Sequence, residues 1–233
     1  MHLSRGQAAA KELLGEFRGS LITDRWTGDG WWPLAKRQLC WAHLIREFQK
    51  IAERGGESQP IGEGLLEHAR KLFALWSCVR DGTLTRAGFA AAVVELCERI
   101  RQWLTAGAAY RPARGEQSAR ARTARTCREL LKVEPALWLF VRGAGIEPTN
   151  NAAERALRPA VIWRRTSLGT QSVLGSQFVA RMLTVTLTLR SQQRPVLAYL
   201  TAACEGTRQG RPAPSLLPAP SLLEQELHFA LAA

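Results

Sequence analysis

The sequence has no uncharged apolar run of about 18 residues, the length that a helix needs to cross a membrane. Its beginning also lacks the apolar stretch of a secretory signal, because Arg5, Lys11 and Glu12 interrupt it. The composition is not that of a disordered chain, since 46% of the 233 residues are apolar and 22% are charged. These absences predict a cytoplasmic globular protein with one good-sized domain, or one domain and an insertion.

Cysteine is present without the spacing of a disulfide framework or a closed zinc site. The five cysteines are an odd number, and no two of them form a Cys-x-x-Cys pair. Most of them fall within apolar helical patterns, so we expect a reduced protein with buried thiols. They are Cys40, Cys78, Cys97, Cys127 and Cys204.

Acidic residues are in the minority. The 20 acidic residues face 32 basic ones, which gives a formal net charge of +12 and a pI near 10.5. Most of the basic residues are arginine, whose planar guanidinium pairs with two phosphate oxygens at once. The charge therefore favours a polyanionic partner, most often nucleic acid. The alternative is an ordinary solvated surface encoded by an arginine-rich genome.

Apolar periodicity predicts a mostly helical chain with one clear strand. The strand covers residues 19–24, a short buried run that ends in Asp24. Residues 175–190 alternate in part like a strand, but the length of the run favours a helix. The arginine-rich stretch 111–128 is expected to be a solvated basic helix or a mobile arm. Further helices are predicted over 4–17 with Ser4 as N-cap, from Pro33 to about 52, over 62–80, after a Thr85 cap, over 136–142, from about 149, and over 195–204.

The tail after Cys204 differs in kind from the rest of the chain. The sequence PAPSLL at 212–217 is repeated at once at 218–223. Closely spaced prolines predict an extended, disordered, low-complexity segment. The leucine-rich stretch 221–231 has the composition of a short helix, and we assign the tail no catalytic role.

Two carboxylates are candidate metal ligands: Asp24 at the end of the predicted strand, and Glu154 in the first turn of a predicted helix. Hard oxygen ligands of this kind hold the two Mg²⁺ ions, roughly 4 Å apart, of two-metal phosphoryl-transfer sites. Each residue also has an ordinary alternative. Asp24 suits the turn before Gly28, and Asn151 with Glu154 has the spacing of a capping box.

Cys40 and His43 stand one helical turn apart, as a thiolate and an imidazole that bind zinc would. Only half the ligands of a closed zinc site are nearby, and a Cys–His nucleophile pair needs a third, orienting group. The pattern alone therefore favours a structural role, in which Cys40 is packed and His43 is hydrogen-bonded within the core.

Two segments resemble the bacterial insertion-sequence transposases of the insertion-sequence-66 type. The first is DRW at 24–26 followed by RQLCWAHLIREF at 37–48, and the second is EPTNNAAERALRP at 147–159. The second string is highly specific in a loop that leads into a helix. The resemblance covers about residues 1–204 and leaves the tail outside.

The resemblance implies a DDE recombinase with a ribonuclease-H-like α/β core, of which this mostly α chain holds a part. In that family two aspartates and one glutamate bind Mg²⁺ (or Mn²⁺). Asp24 matches the second aspartate, and Glu154 matches the glutamate that follows the pair Asn150 and Asn151. Cys40 with His43 matches a signature that lies close to the catalytic core.

The same resemblance divides the chain into four parts. These are the second-aspartate half of the core at 1–56, a helical insertion at 57–146, the glutamate helix with closing helices at 147–204, and the tail at 205–233.

Four arginines follow Glu154 closely, and we expect them to contact DNA phosphates. Glu154 and Arg158 share a helix face, so Arg158 can point to where the cleaved phosphate would lie. The alternative is ordinary helix-surface charge. Trp163 could stack on an unpaired base, but a place in the core is preferred. The four are Arg155, Arg158, Arg164 and Arg165.

One departure from the family decides the functional expectation. The first aspartate lies on a strand upstream of the first helix, whereas only three residues precede Ser4 here and none is acidic. We therefore expect an N-terminally truncated transposase that is inactive alone, with DNA, full-length transposase or a complementary N-terminal fragment as partners. The alternatives are a non-catalytic basic DNA-binding or transposase-interfering protein and, less favoured, an unfolded pseudogene product.

Overall fold

The computed structural model describes residues 6–25 and 30–218. They form a mostly helical structure with one small parallel sheet, divided into a first unit, 2–153, and a second unit, 154–233. The elements in chain order are α1 (Gln7–Leu14), β1 (Leu21–Thr23), β2 (Arg37–Leu39), α2 (Trp41–Glu53), α3 (Gln59–Arg80), α4 (Arg86–Ala108), α5 (Ala119–Lys132), α6 (Leu139–Arg142), α7 (Asn151–Thr166), α8 (Val173–Ser191) and α9 (Val196–Arg208).

Helix α1 is shorter than its apolar pattern predicted. It starts after Gly6, which takes the N-cap position expected for Ser4, and Ser4 itself lies outside the described residues. It ends at Leu14 because Gly15 adopts a left-handed φ of 49°, a conformation that glycine reaches without a side-chain clash.

The sheet contains a strand that periodicity missed. We predicted a helix from Pro33, but residues 37–39 form β2 and pair in parallel with β1, so the helix begins only at Trp41. Strand β2 is fully buried and β1 is half-buried, not buried as predicted. Tertiary contacts of buried Gln38 explain why residues 37–39 are a strand and not a helix. Its side-chain amide donates to the carbonyl of Leu137 (3.0 Å) and accepts from the N–H of Phe140 (2.8 Å).

The core of the first unit is built by helices α2 to α6. One apolar face of each long helix is buried, as the spacing of apolar residues predicted. At its centre the rings of Trp76, Phe89 and Phe140 pack with centroids 5.4–5.8 Å apart. Gly62 lets α3 approach α2, because a Cβ at that position would lie 2.2 Å from the backbone nitrogen of Ala52.

Helix α5 is part of this core and not a mobile arm. Ser118 caps it by accepting from the N–H of Ala121, and its inner face buries Ala124, Cys127 and Leu130. Arginines of α5 also stabilise the fold through hydrogen bonds. Arg128, for example, donates to the carbonyl of Ala108 at the end of α4 (2.9 Å).

The described part of the second unit consists of the main part of α7, then α8, α9 and an extended segment up to residue 218. Helix α8 covers 173–191, which confirms the helical interpretation of residues 175–190. Helix α9 continues to Arg208, beyond the predicted end at 204. Among the described residues of this unit, only Leu189 and Gly206 are buried. Within the described part of the chain, no helix is long and apolar enough to cross a membrane.

Candidate functional site

Asp24 lies directly after β1, at the end of the sheet where both parallel strands terminate. Cys40 follows β2 at the same end, and its backbone N–H donates to the carbonyl of Thr23 at 2.7 Å. Asp24 is half-buried. The carboxyl ends of parallel strands are where α/β proteins usually bind ligands, so Asp24 occupies a position suited to a metal ligand.

The start of α2 also holds the segment that leads to the second candidate acid. The backbone N–H of Trp41 donates to the carbonyl of buried Pro148 at 2.9 Å. The N–H of Asn150 donates to the Cys40 sulfur at 3.4 Å. These two bonds tie residues 148–150 to the end of the sheet, within the first unit.

Cys40 and His43 differ in how deeply they are buried. Cys40 is buried, with 1% of its surface exposed, and its sulfur accepts the bond from Asn150. His43 is half-buried on the first turn of α2. In the described ranges 6–25 and 30–218, no three His, Cys, Asp or Glu side chains lie together as a possible metal site. The structure thus gives Cys40 a packing and hydrogen-bonding position.

Arg25, the residue after Asp24, belongs to a polar network that the sequence did not predict. Arg25 and Arg54 both contact the carboxylate of Glu47, each at 3.5 Å. Arg54 also donates to the hydroxyl of Thr123 (2.9 Å), which donates to Ser58 (2.9 Å). The network links the end of β1 to α5 within the first unit. The seven-residue separation of Glu47 and Arg54, two helical turns, was the available sequence signal.

Glu154 and the four arginines are all exposed on α7. Glu154 is in the first turn, where a carboxylate interacts favourably with the positive end of the helix dipole. Asn151 is the first helical residue, and α7 continues through Pro159 despite the backbone donor that proline lacks. Trp163 is half-buried and faces α8, which agrees with a packing role more than with an open stacking platform.

The oxygen donors fit Mg²⁺ in kind but not in number. Asp24 and Glu154 are carboxylates, the hard ligands that Mg²⁺ prefers, and each lies at the end of a regular element. They belong to different units, and no third acid joins Asp24 in a metal-ligand group among the described residues. The described residues therefore do not form a complete metal site.

The sequence is similar to that of known proteins. A family model described as the IS66 family of transposases matches residues 1–177. An uncharacterized protein of Sinorhizobium fredii (strain NBRC 101917 / NGR234), y4qI, is 28% identical over 176 residues. That match covers 75% of this chain but 31% of the relative, so the chain spans less than a third of the curated protein it matches. No solved structure matches the chain.

Proposed function

The chain belongs to the IS66 family of transposases, and from this premise we propose that it supplies two metal ligands, Asp24 and Glu154, to a transposase active site of ribonuclease-H-like type. We propose further that it does not cut DNA alone, because the described residues bring no third acid together with these two. The observation that carries the proposal is the position of Asp24 after β1, at the carboxyl end of the parallel sheet.

The bonds between residues 148–150 and the start of α2 support the same assignment for Glu154. Glu154 follows Asn150 by four residues, so a fixed Asn150 restricts where the helix that carries Glu154 can begin. Cys40 is then a positioning residue, because it acts through Asn150 and not on the substrate.

The proposed reaction of the complete enzyme is hydrolysis at transposon ends, followed by attack of the 3′-hydroxyl on target DNA. With a third acid, Asp24 and Glu154 would hold Mg²⁺, and the chemistry that such a metal would supply is activation of the attacking oxygen and stabilisation of the leaving oxygen. Asp24 and Glu154 are two of the three acids that the family resemblance implies, which is why the proposal requires a complementary N-terminal part. No covalent protein–DNA intermediate is needed.

The arginines of α7 are proposed to hold DNA phosphates beside Glu154. All four are exposed, and the chain as a whole carries a net charge of +12. Arg158 follows Glu154 by one helical turn, so its guanidinium is available to a phosphate near that carboxylate. Each phosphate contact of this kind releases counterions and makes binding weaker at high salt.

The test is a nicking assay on DNA that carries the ends of the element. We expect no Mg²⁺- or Mn²⁺-dependent cleavage by the chain alone. Cleavage should appear when the upstream part of the transposase is supplied, and Asp24→Asn or Glu154→Gln should abolish it. Asp81→Asn, in the exposed turn after α3, is the matched control and should have no effect. Metal-dependent cleavage by the chain alone, lost in Asp24→Ala, would overturn the proposed dependence on a partner.

A non-catalytic role in DNA binding or transposase interference is the second candidate. It is favoured by the exposed arginines of α7 and by the incomplete ligand set among the described residues. DNA binding with a steep salt dependence, and no cleavage even with the upstream part present, would establish this candidate instead of the first.

A further inference from the structure

The second unit contains an apolar groove that the proposed function does not use. It lies between α7 and α8, has a volume of about 410 Å³ and is open to solvent. Leu157 lines it with 63% of its surface exposed, and the other large apolar side chains of the groove are only half-buried. Soluble proteins seldom leave a contiguous apolar surface of this kind uncovered. Its main lining residues are Leu157, Ala160, Trp163, Val179, Leu183 and Leu187.

We propose that the leucine-rich end of the same chain, residues 221–231, docks in this groove. The path of the preceding segment is the first reason. The side chain of Gln192 donates to the carbonyl of Leu216 (2.9 Å), and the hydroxyl of Tyr199 donates to that of Pro214 (2.8 Å). Gln192 follows the groove residue Thr188 by four positions, so the chain is held one helical turn beyond the groove.

The length of the remaining chain is the second reason. The groove residues of α8 extend from Val179 to Thr188, which corresponds to about 14 Å of helix. Fifteen residues follow Pro218. They cover about 22 Å if helical and more if extended, so the tail reaches the whole groove from its anchor without a second molecule.

The pattern and charge of the tail are the third reason. Leu223, Leu227 and Leu231 recur every four residues and would form one apolar face of a helix. The tail beyond Pro218 has two acidic residues, Glu224 and Glu226, and no lysine or arginine. The groove is bordered by the arginine-rich helix α7, and Arg164 is among its lining residues. The tail therefore complements the groove in both hydrophobicity and charge.

The test uses the full chain with the photoreactive residue p-benzoylphenylalanine at position 227, followed by irradiation and peptide mapping. We expect cross-links to peptides that contain 156–164 or 179–188, in molecules that remain monomeric on a denaturing gel. The same label at Gln225, which falls on the opposite face of the helical pattern, is the matched control and should cross-link to these peptides several-fold less.

A groove variant separates docking from chance proximity. Leu157→Gln changes an exposed side chain and should reduce the cross-link from position 227 several-fold while the circular dichroism spectrum stays unchanged. Cross-links between two chains would identify a second copy as the occupant and overturn the proposal. Equal labelling from positions 225 and 227, or no labelling of the groove peptides, would overturn it as well.

Discussion

The two units differ in how far their apolar side chains are withdrawn from water. In the first unit, aromatic and aliphatic residues from α2 to α6 form a continuous buried cluster that includes Trp41, Phe48 and Phe140. In the described part of the second unit, Leu189 is the buried large apolar residue, and several others are more than half exposed. The first unit thus has one continuous core, which α2 shares with α3 to α6, whereas the described part of the second unit leaves apolar surface exposed.

Arginine is also used differently in the two units. On α5, Arg120 pairs with Glu57 at 2.7 Å, and Arg125 and Arg128 donate to backbone carbonyls. On α7 the arginines are exposed and follow Glu154, a candidate metal ligand, along the same helix. A high arginine content alone therefore does not identify a DNA-binding surface, since some of the arginines stabilise the fold of the first unit.

The largest expected effect is the loss of stability when a buried phenylalanine of the first unit is replaced by alanine. The same substitution at an exposed phenylalanine of the second unit is the comparison. Phe89→Ala removes a fully buried ring that contacts Trp76 and Phe140, and should lower the free energy of unfolding by about 3–5 kcal/mol. Phe178→Ala removes a ring that is 64% exposed and should cost about 1 kcal/mol or less. Urea denaturation followed by circular dichroism measures both, and equal losses would refute the contrast in packing.

A glycine substitution tests the close approach of helices in the first unit. Gly62→Ala places a Cβ 2.2 Å from backbone nitrogen of Ala52, which cannot rotate away. We expect a loss of about 1–3 kcal/mol, although alanine is normally the better helix former. In α8, a Cβ at Gly175 meets the rotatable hydroxyl of Ser172 at 3.1 Å, so Gly175→Ala should cost less. A Gly62→Ala variant as stable as the parent would mean that α2 and α3 are not in tight contact.

Stability at alkaline pH should depend on the buried thiols of the first unit. Burial raises the pKa of Cys127 from 9.0 to about 11, and burial followed by the Glu134 carboxylate does the same for Cys97. A pKa raised on folding gives a stabilisation that is complete below pH 9 and is lost as the pH rises through about 11. Replacing Cys127 with alanine should therefore flatten the decline in unfolding free energy between pH 9 and 11.

Cys204 is exposed in the second unit, so Cys204→Ala controls for the loss of a thiol group that is not buried. Chemical denaturation at several pH values measures the profiles, and a Cys127→Ala profile parallel to that of the parent protein would count against the assignment.

The smallest expected effect is a change in the salt dependence of DNA binding when one arginine is replaced. Arg158→Gln should reduce the slope of log binding constant against log salt concentration by about 1, as expected for one lost phosphate contact. Arg99→Gln on α4, where the guanidinium lies 3.8 Å from Glu95, should leave the slope unchanged. Fluorescence anisotropy with labelled DNA at several salt concentrations measures both slopes, and equal slopes would remove α7 from the proposed interface.

Much of the helical fold was predictable because its signals are local. The Thr85 cap, the apolar face of α3 and the long run in α8 each depend on residues within one element. Strand β2 was not predictable in this way, since its conformation depends on Gln38 bonding to residues 99 and 102 positions away. The packing of α5 was missed because its inner face consists mainly of small residues, Ala121 and Ala124 among them, and not of large apolar ones.

The local structure around the candidate residues was predictable in part, and their contacts were not. Asp24 follows a strand and Glu154 lies in the first turn of a helix, as predicted, whereas Cys40 follows a strand that was not predicted. The bond from Asn150 to Cys40 joins residues 110 positions apart, and no periodicity carries that information. The roles of Asp24 and Glu154 as metal ligands remain predictions of the family resemblance.

Metal-specificity rescue is the most direct test of the central claim. Asp24→Cys and Glu154→Cys would be assayed for cleavage of element-end DNA, with the upstream part of the transposase present, in Mg²⁺ and in Mn²⁺. A thiolate is a poor ligand for Mg²⁺ and a better one for the softer Mn²⁺, so both variants should be inactive in Mg²⁺ and partly active in Mn²⁺. Activity that is equally retained or equally lost in both metals would contradict the proposal that these side chains bind the catalytic ions.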